Sequence, residues 1–137
     1  MKIAIIGSMQ LSDKMVEVRN QLLELGHEVT VSDFVDSMLG KTAEEQETIK
    51  IQQKNNEDAM RKDCKRLENA DAVLVVNFDK NGITNYIGGN TFLEIGYAHI
   101  LGKKIFMFNP VPEIPVYNTE LKAFKPVVFN GDFSLIK

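Results

Sequence analysis

The sequence predicts an α/β fold, a three-layer sandwich of helices around a parallel five-stranded sheet. Three observations carry this expectation. Short, almost purely apolar runs recur at residues 3–6, 72–76 and 105–108, and runs of this length and character suit strands buried on both faces. Between them lie stretches whose apolar residues repeat at helical spacing. Glycines stand where those helices should stop, at Gly26 and Gly102.

Taken in order, residues 2–6 form the first strand and Gly7-Ser8-Met9-Gln10 the turn after it. Ser12 caps a helix over residues 13–25, with Met15, Val16, Val18, Leu22 and Leu23 as its apolar stripe. Residues 27–31 form a second strand, and strand, helix and strand in about 30 residues make a right-handed βαβ unit. Residues 32–40 read as a loop. Lys41 or Thr42 then starts a long polar helix reaching about residue 69, with only a thin stripe of Ile49, Ile51, Ala59, Met60, Cys64 and Leu67. Such a helix projects from the body or packs on another subunit, and Asn55-Asn56 mark a place for a kink, being weak helix formers.

Residues 71–77 are the clearest strand, and residues 78–89 a loop rich in Gly and Asn. A helix follows, capped by Asn90 or Thr91. Phe92, Leu93, Ile95, Ala98, Ile100 and Leu101 make it apolar nearly all round, so burial is expected. Lys103 and Lys104 sit at its negative end. Residues 105–108 are the fourth strand, the proline-bearing residues 109–117 a loop, residues 118–123 a short helix starting at Asn118 or Thr119, and residues 127–129 the last strand. This order is flavodoxin-like in outline. Ligands of such sheets bind beyond the carboxyl ends of the strands. That edge takes Gly7-Ser8-Met9, residues 77–90 and Asn109-Pro110.

At 137 residues the chain is expected to form one domain, residues 1–137, with a real core. A net charge of −3 gives no electrostatic footprint for a nucleic-acid polymer. No apolar run reaches membrane-spanning length, and the run at residues 3–6 is too short for a signal peptide, so the expected location is cytoplasmic. The single cysteine, Cys64, excludes an internal disulfide and a cysteine metal cluster.

Several chemistries drop out. Gly7-Ser8-Met9 lacks the later glycines of a dinucleotide fingerprint, and no GxxxxGK[ST] phosphate loop is present. His27 and His99 are isolated, so no metal is expected. Cys64 reads as packing, and Ser8 has no visible base. Carboxylates remain. Ala98 and Leu101, at i+4 and i+7, place Glu94 on an apolar face. A carboxylate there is costly unless paired, protonated or aimed into a cavity. The alternatives are an acid near the helix start satisfied by the dipole, or a pair with Lys80 or Lys103. Asp63, on the last turns of the long helix, is a second candidate acid, while Asp71, at the amino end of its strand, reads as a cap or turn residue. A nucleophilic carboxylate with a second acid is what glycosyl transfer needs.

The pattern Asp63-x7-Asp71-Ala72-Val73, then Glu94-x-Gly96-x-Ala98, then Gly102-Lys103 resembles the nucleoside 2-deoxyribosyltransferase family and its nucleotide N-glycosidase relatives. The resemblance covers about residues 2–108 and is specific between residues 63 and 104. It implies a flavodoxin-like sandwich in which Glu94 attacks C1′ of a nucleoside to form a glycosyl-enzyme and Asp63 contacts the departing base. Gly7 and Ser8, with Met9 beside them, lie under the sugar or its 5′ substituent. The substrate is a small-molecule nucleoside or nucleoside 5′-monophosphate, no cofactor is required, and the assembly is a homodimer or larger homo-oligomer.

The chain departs from the family pattern in three ways. Gly88 stands where many members carry an Asp or Ser that binds sugar hydroxyls, with Asn85 or Asn90 as substitutes. The first strand has no tyrosine. The loop over residues 77–89 is longer than usual. It is either a lid or a surface loop, and Tyr86 in it is placed to stack on a base or supply the missing hydroxyl. Asn77, Gly88, Gly89 and Asn90 complete the expected substrate-binding set. Three functions stay open: an enzyme of N-glycosidic transfer or hydrolysis, a nucleotide-sensing module of the same fold without turnover, and an assembly protein.

Overall fold

Five strands, β1 (Lys2–Gly7), β2 (Glu28–Thr30), β3 (Ala72–Val76), β4 (Lys104–Met107) and β5 (Val127–Val128), form one sheet in the order β2-β1-β3-β4-β5. All pairings are parallel. The computed structural model describes residues 1–56 and 58–137. The helices are α1 (Ser12–Glu24), α2 (Val35–Met38), α3 (Ala43–Asn56), α4 (Ala59–Glu68), α5 (Gly89–Ile100) and α6 (Asn118–Ala123). Short 3-10 turns lie at Met9–Leu11 and Phe133–Leu135. The expected flavodoxin-like sandwich is what the chain forms.

Strand alternation divides the core. Ile3, Ile5, Leu74, Val76 and Phe106 meet Met15, Val18 and Leu22 of α1 on one face, which Phe129 and Ile136 close. Ala4, Ile6, Val73, Val75 and Met107 meet Leu67 of α4, Ile95 and Ala98 of α5 and Leu121 of α6 on the other. Burial on both faces is why these strands read as unbroken apolar runs. The strand order reverses between β1 and β3, where Gly7 pairs with Val76. A β-carbon on Gly7 would stand 2.8 Å from the Val76 carbonyl oxygen, so only glycine fits there.

Five details differ from the sequence expectation. Ser12 is the first residue of α1 rather than its cap, and its hydroxyl donates to the Met9 carbonyl. Leu23 lies off the stripe and is exposed. Residues 35–38, expected as loop, form α2. The cap position of α5 is Gly88, in extended backbone, instead of Asn90 or Thr91. Nor is α5 buried all round, because Leu93 and Ile100 are exposed.

The expected long helix passes through Glu57, which lies outside the described residues. On either side of it stand two helices, and Asp58 before α4 has the left-handed φ of 50° that Asp tolerates. α3 rests on α2 and the Met9–Leu11 turn. Two polar bonds hold it: Gln46 Nε2 donates to the Met38 carbonyl at 3.0 Å and Gln53 Nε2 to Ser37 Oγ at 3.1 Å. Among the described residues no helix is long and apolar enough to cross a membrane.

Candidate active site

The carboxyl ends of β1, β3 and β4 make a crest locked by asparagines. Asn77, fully buried, donates from Nδ2 to the Asn109 carbonyl at 2.9 Å and accepts from Asn109 N–H at 2.9 Å. Asn109 Nδ2 returns a bond to the Asn77 carbonyl at 2.8 Å. Asn77 therefore fastens two strand ends and does not line the hollow beside them.

The segment after Asn77 is an ordered turn. Lys80 and Ile83 exchange backbone hydrogen bonds of 3.1 and 2.9 Å across Asn81-Gly82, both with positive φ as a tight hairpin turn demands. Asn85 is tied to Asp79 and to the Pro110 carbonyl. Lys80 reaches back from this turn. Its Nζ donates to Ser8 Oγ at 2.8 Å and lies 4.7 Å from the centre of the Tyr86 ring. Burial, and then the charge of Lys50, holds the Lys80 ammonium below the usual lysine range.

Beneath this turn is a cavity of about 110 Å³. Gly7, Ser8 and Met9 form its floor; Gly88, Gly89, Asn90 and Thr91 form one wall, Lys80 and Tyr86 the roof, and Lys50 and Lys54 of α3 the opposite wall. A smaller hollow of about 30 Å³ adjoins it, sharing Met9, Lys50, Lys54 and Asn90 and adding Ser32, Phe34 and Asp63. Larger grooves exist at the amino edge, by Lys2 and Glu28, and beside α1, by Phe78 and Phe108. Neither gathers a buried carboxylate.

Glu94 lies one helical turn inward from Asn90. It is only 6% exposed and lines neither hollow directly. Its Oε1 accepts from Asn90 Nδ2 at 3.0 Å. It stands in the second turn of α5, beyond the free amides, so the helix dipole does not account for it. Neither lysine considered as its partner reaches it: Lys80 is on Ser8, and Lys103 donates to the Glu68 carbonyl at 3.1 Å. Among the described residues it has no ion pair. Burial, then the nearby charge of Asp63, pushes its pKa up to about 8 against the opposing pull of Arg66 and Lys54.

Asp63, 7% exposed, is on α4. Burial raises its pKa, while Arg66, at 3.6 Å from Oδ1, and the Ser32 hydroxyl oppose the rise. α4 packs on α5, and from it the charge of Asp63 acts on Glu94. Lys50 and Lys54 escaped the sequence analysis because their helix was expected to project from the body or pack on another subunit. Their i, i+4 spacing in a helix without an apolar stripe was the available signal. Asp71 accepts from Lys2 N–H at 2.8 Å at the far edge, as a cap should. Burial and the neighbouring acids push the Cys64 thiol up, away from nucleophilic thiolate. No group of three His, Cys, Asp or Glu side chains among the described residues is arranged to hold a metal ion.

The fold and crest define a switch-point site on a flavodoxin-like sheet, with a buried acid pair under a cationic mouth. No protein-family model matches the chain, and no curated protein does. Among solved structures the chain is similar to a 2-deoxyribosyltransferase from the psychrotolerant bacterium Bacillus psychrosaccharolyticus, with a TM-score of 0.55 and 20% identity over 88% of this chain and 81% of that one. It is also similar to the CMP N-glycosidase BcmB of Clostridium botulinum, with a TM-score of 0.45 and 17% identity over 79% and 71% of the two chains. At these identities the likeness is one of fold. The two neighbours are of the kinds that the sequence resemblance named.

Proposed function

We propose that the protein cleaves or transfers the N-glycosidic bond of a (deoxy)nucleoside or nucleoside 5′-monophosphate, with Glu94 as the nucleophile. One observation carries the reading. Glu94 is buried without a cationic partner, and the Asn90 amide that holds it lines the crest cavity. A stability-minded sequence has no use for a carboxylate so placed.

In the proposed reaction the ionised Glu94 attacks C1′, the C1′–N bond breaks, and its electron pair leaves with the base. The base takes up a proton from water on the Asp63 side of the site. Water then attacks C1′, its hydroxyl staying on the sugar and its proton going to the site, and Glu94 is released. A second base in place of water gives transfer. Asn90 holds Oε1, leaving Oε2 as the attacking atom. Lys50, Lys54 and Lys80 around the cavity favour a phosphorylated substrate, with Gly7 and Ser8 beneath its sugar. No cofactor enters. We extend the proposal to a cytoplasmic homodimer or larger homo-oligomer, which light scattering tests.

Gly88 and the absence of a hydroxyl on β1 favour a second reading, a module that binds the same ligand without turnover. Incubation with a panel of nucleosides and 5′-monophosphates, with free base read by chromatography, separates the two. The enzyme reading expects base release that Glu94→Ala abolishes. Saturable binding with the ligand recovered intact supports the module and overturns the enzyme.

A further inference from the structure

Arg66 has no part in the chemistry above, yet its side chain is only 13% exposed, close to Asp63 at 10%. Its Nη1 donates to the Thr30 carbonyl at 3.2 Å and to Thr30 Oγ1 at 3.4 Å. Its Nε faces Asp63 Oδ1 at 3.6 Å and is buried with no hydrogen-bond partner among the described residues. As a fastening this is poor, because an orphaned buried donor costs free energy rather than supplying it. As a source of fixed charge it is well placed. A guanidinium keeps its proton at any working pH. Arg66 lines the groove at the amino edge and not the crest hollow, whereas Asp63 lines the hollow. The cation therefore stands behind the acid, on the side away from the ligand.

We infer that Arg66 is a positioning residue: anchored on Thr30, it holds the Asp63 carboxylate from behind, and its fixed charge favours the ionised form of both acids. The other groups acting on the pair are few. Lys54 of α3 adds a positive charge near Glu94, Asp33 a negative one near Asp63, and the Cys64 thiol, neutral and pushed up, lies beside both acids. Lys54 is exposed and Arg66 is not, so Arg66 is screened less. Removing it penalises each loss of a proton from the pair, and both steps of the pair's titration move to higher pH.

The inference rests on the proposed nucleoside chemistry only where activity is read. The main test needs no substrate: a carboxyl carbon NMR titration of the whole protein, with Glu94 assigned through Glu94→Gln. Arg66→Gln is expected to move the Glu94 step up by about 1 pH unit, and Arg66→Lys, which keeps the charge, to restore most of the difference. A merely structural arginine would lower thermal stability and leave the titration in place. Superimposed Glu94 curves in Arg66→Gln and the unsubstituted protein overturn the inference. Should Arg66→Gln fail to fold, the Arg66 Nε resonance of the unsubstituted protein decides. It is expected to shift with the pair's titration, and a flat trace overturns the inference. Base release then adds a second arm, with the acid limb of kcat/KM moving to higher pH in Arg66→Gln. If the unsubstituted protein releases no base, the nucleoside reading falls while the titration still judges Arg66.

Discussion

The Tyr86 hydroxyl stands 3.1 Å from the point where a β-carbon on Gly88 would lie. The two positions exclude one another: the space that a side chain at residue 88 would take is filled by a hydroxyl reaching in from the neighbouring turn. Tyr86→Phe is expected to lower kcat/KM by about 2–10-fold, the worth of one ordinary hydrogen bond to a sugar hydroxyl. Gly88→Ala, which displaces the ring, should lower it at least as far. Unchanged kinetics in both variants would show that the hydroxyl does not meet the substrate.

Glu94 makes activity and stability depend on pH in opposite senses. A nucleophilic carboxylate works only when ionised, so kcat/KM should climb as pH rises towards about 8 and level off above it. For stability, the folded-state pKa lies above the ordinary glutamate value of 4.5. The unfolded chain then loses its proton first, and stability falls between about pH 4.5 and pH 8, by on the order of 5 kcal/mol at most. Glu94→Gln imitates the protonated acid. It should match the unsubstituted protein near pH 5, exceed it increasingly up to pH 8, and abolish base release throughout. Urea unfolding at pH 5, 7 and 9 gives the comparison, and a constant difference across that range would refute the burial argument.

The lysine wall predicts discrimination by charge. Lys54→Met and Lys80→Met should each raise KM for a 5′-monophosphate about 10–100-fold, the cost of a lost charge-assisted hydrogen bond, with KM for the parent nucleoside nearly unchanged. Added salt should weaken monophosphate binding in the unsubstituted protein more than in either variant. Equal losses on both substrates would mean that the lysines shape the cavity without meeting a phosphate.

Asn77 yields a prediction about folding. Asn77→Ala leaves the backbone amide and carbonyl of the partly buried Asn109 without these partners. A loss of about 1–3 kcal/mol is expected, read as a lower denaturation midpoint at constant slope. Unchanged stability would mean that water replaces the amide at the crest.

Much of this was legible in the sequence, for identifiable reasons. The strands at residues 72–76 and 104–107 announced themselves because both faces are buried, and Glu94 stood out as a charge set among apolar neighbours. What escaped depends on tertiary contact. The cap of α5 slipped to Gly88 because its extended backbone, and not a side-chain acceptor, starts the helix. Leu93 and Ile100 were indistinguishable in character from the buried Ile95. Asn77 looked like a ligand contact because it is polar at the right edge, whereas its hydrogen bonds run to a strand end 32 residues away in sequence. Lys50 and Lys54 belong to the cavity only because α3 folds back over the Met9–Leu11 turn, which no local pattern records.

The two sides of the crest cavity differ in how they are held. α5 and the strand ends are set in the core by apolar packing, whereas α3 is fastened largely through glutamine amides that water can replace. Local opening takes the path of fewest buried apolar contacts. A solute too bulky for 110 Å³ would therefore gain room by swinging α3 outward while the glycine wall keeps its place. Amide exchange should then be fastest in α3 without ligand and slow most there upon saturation, making that helix the timekeeper of arrival and departure.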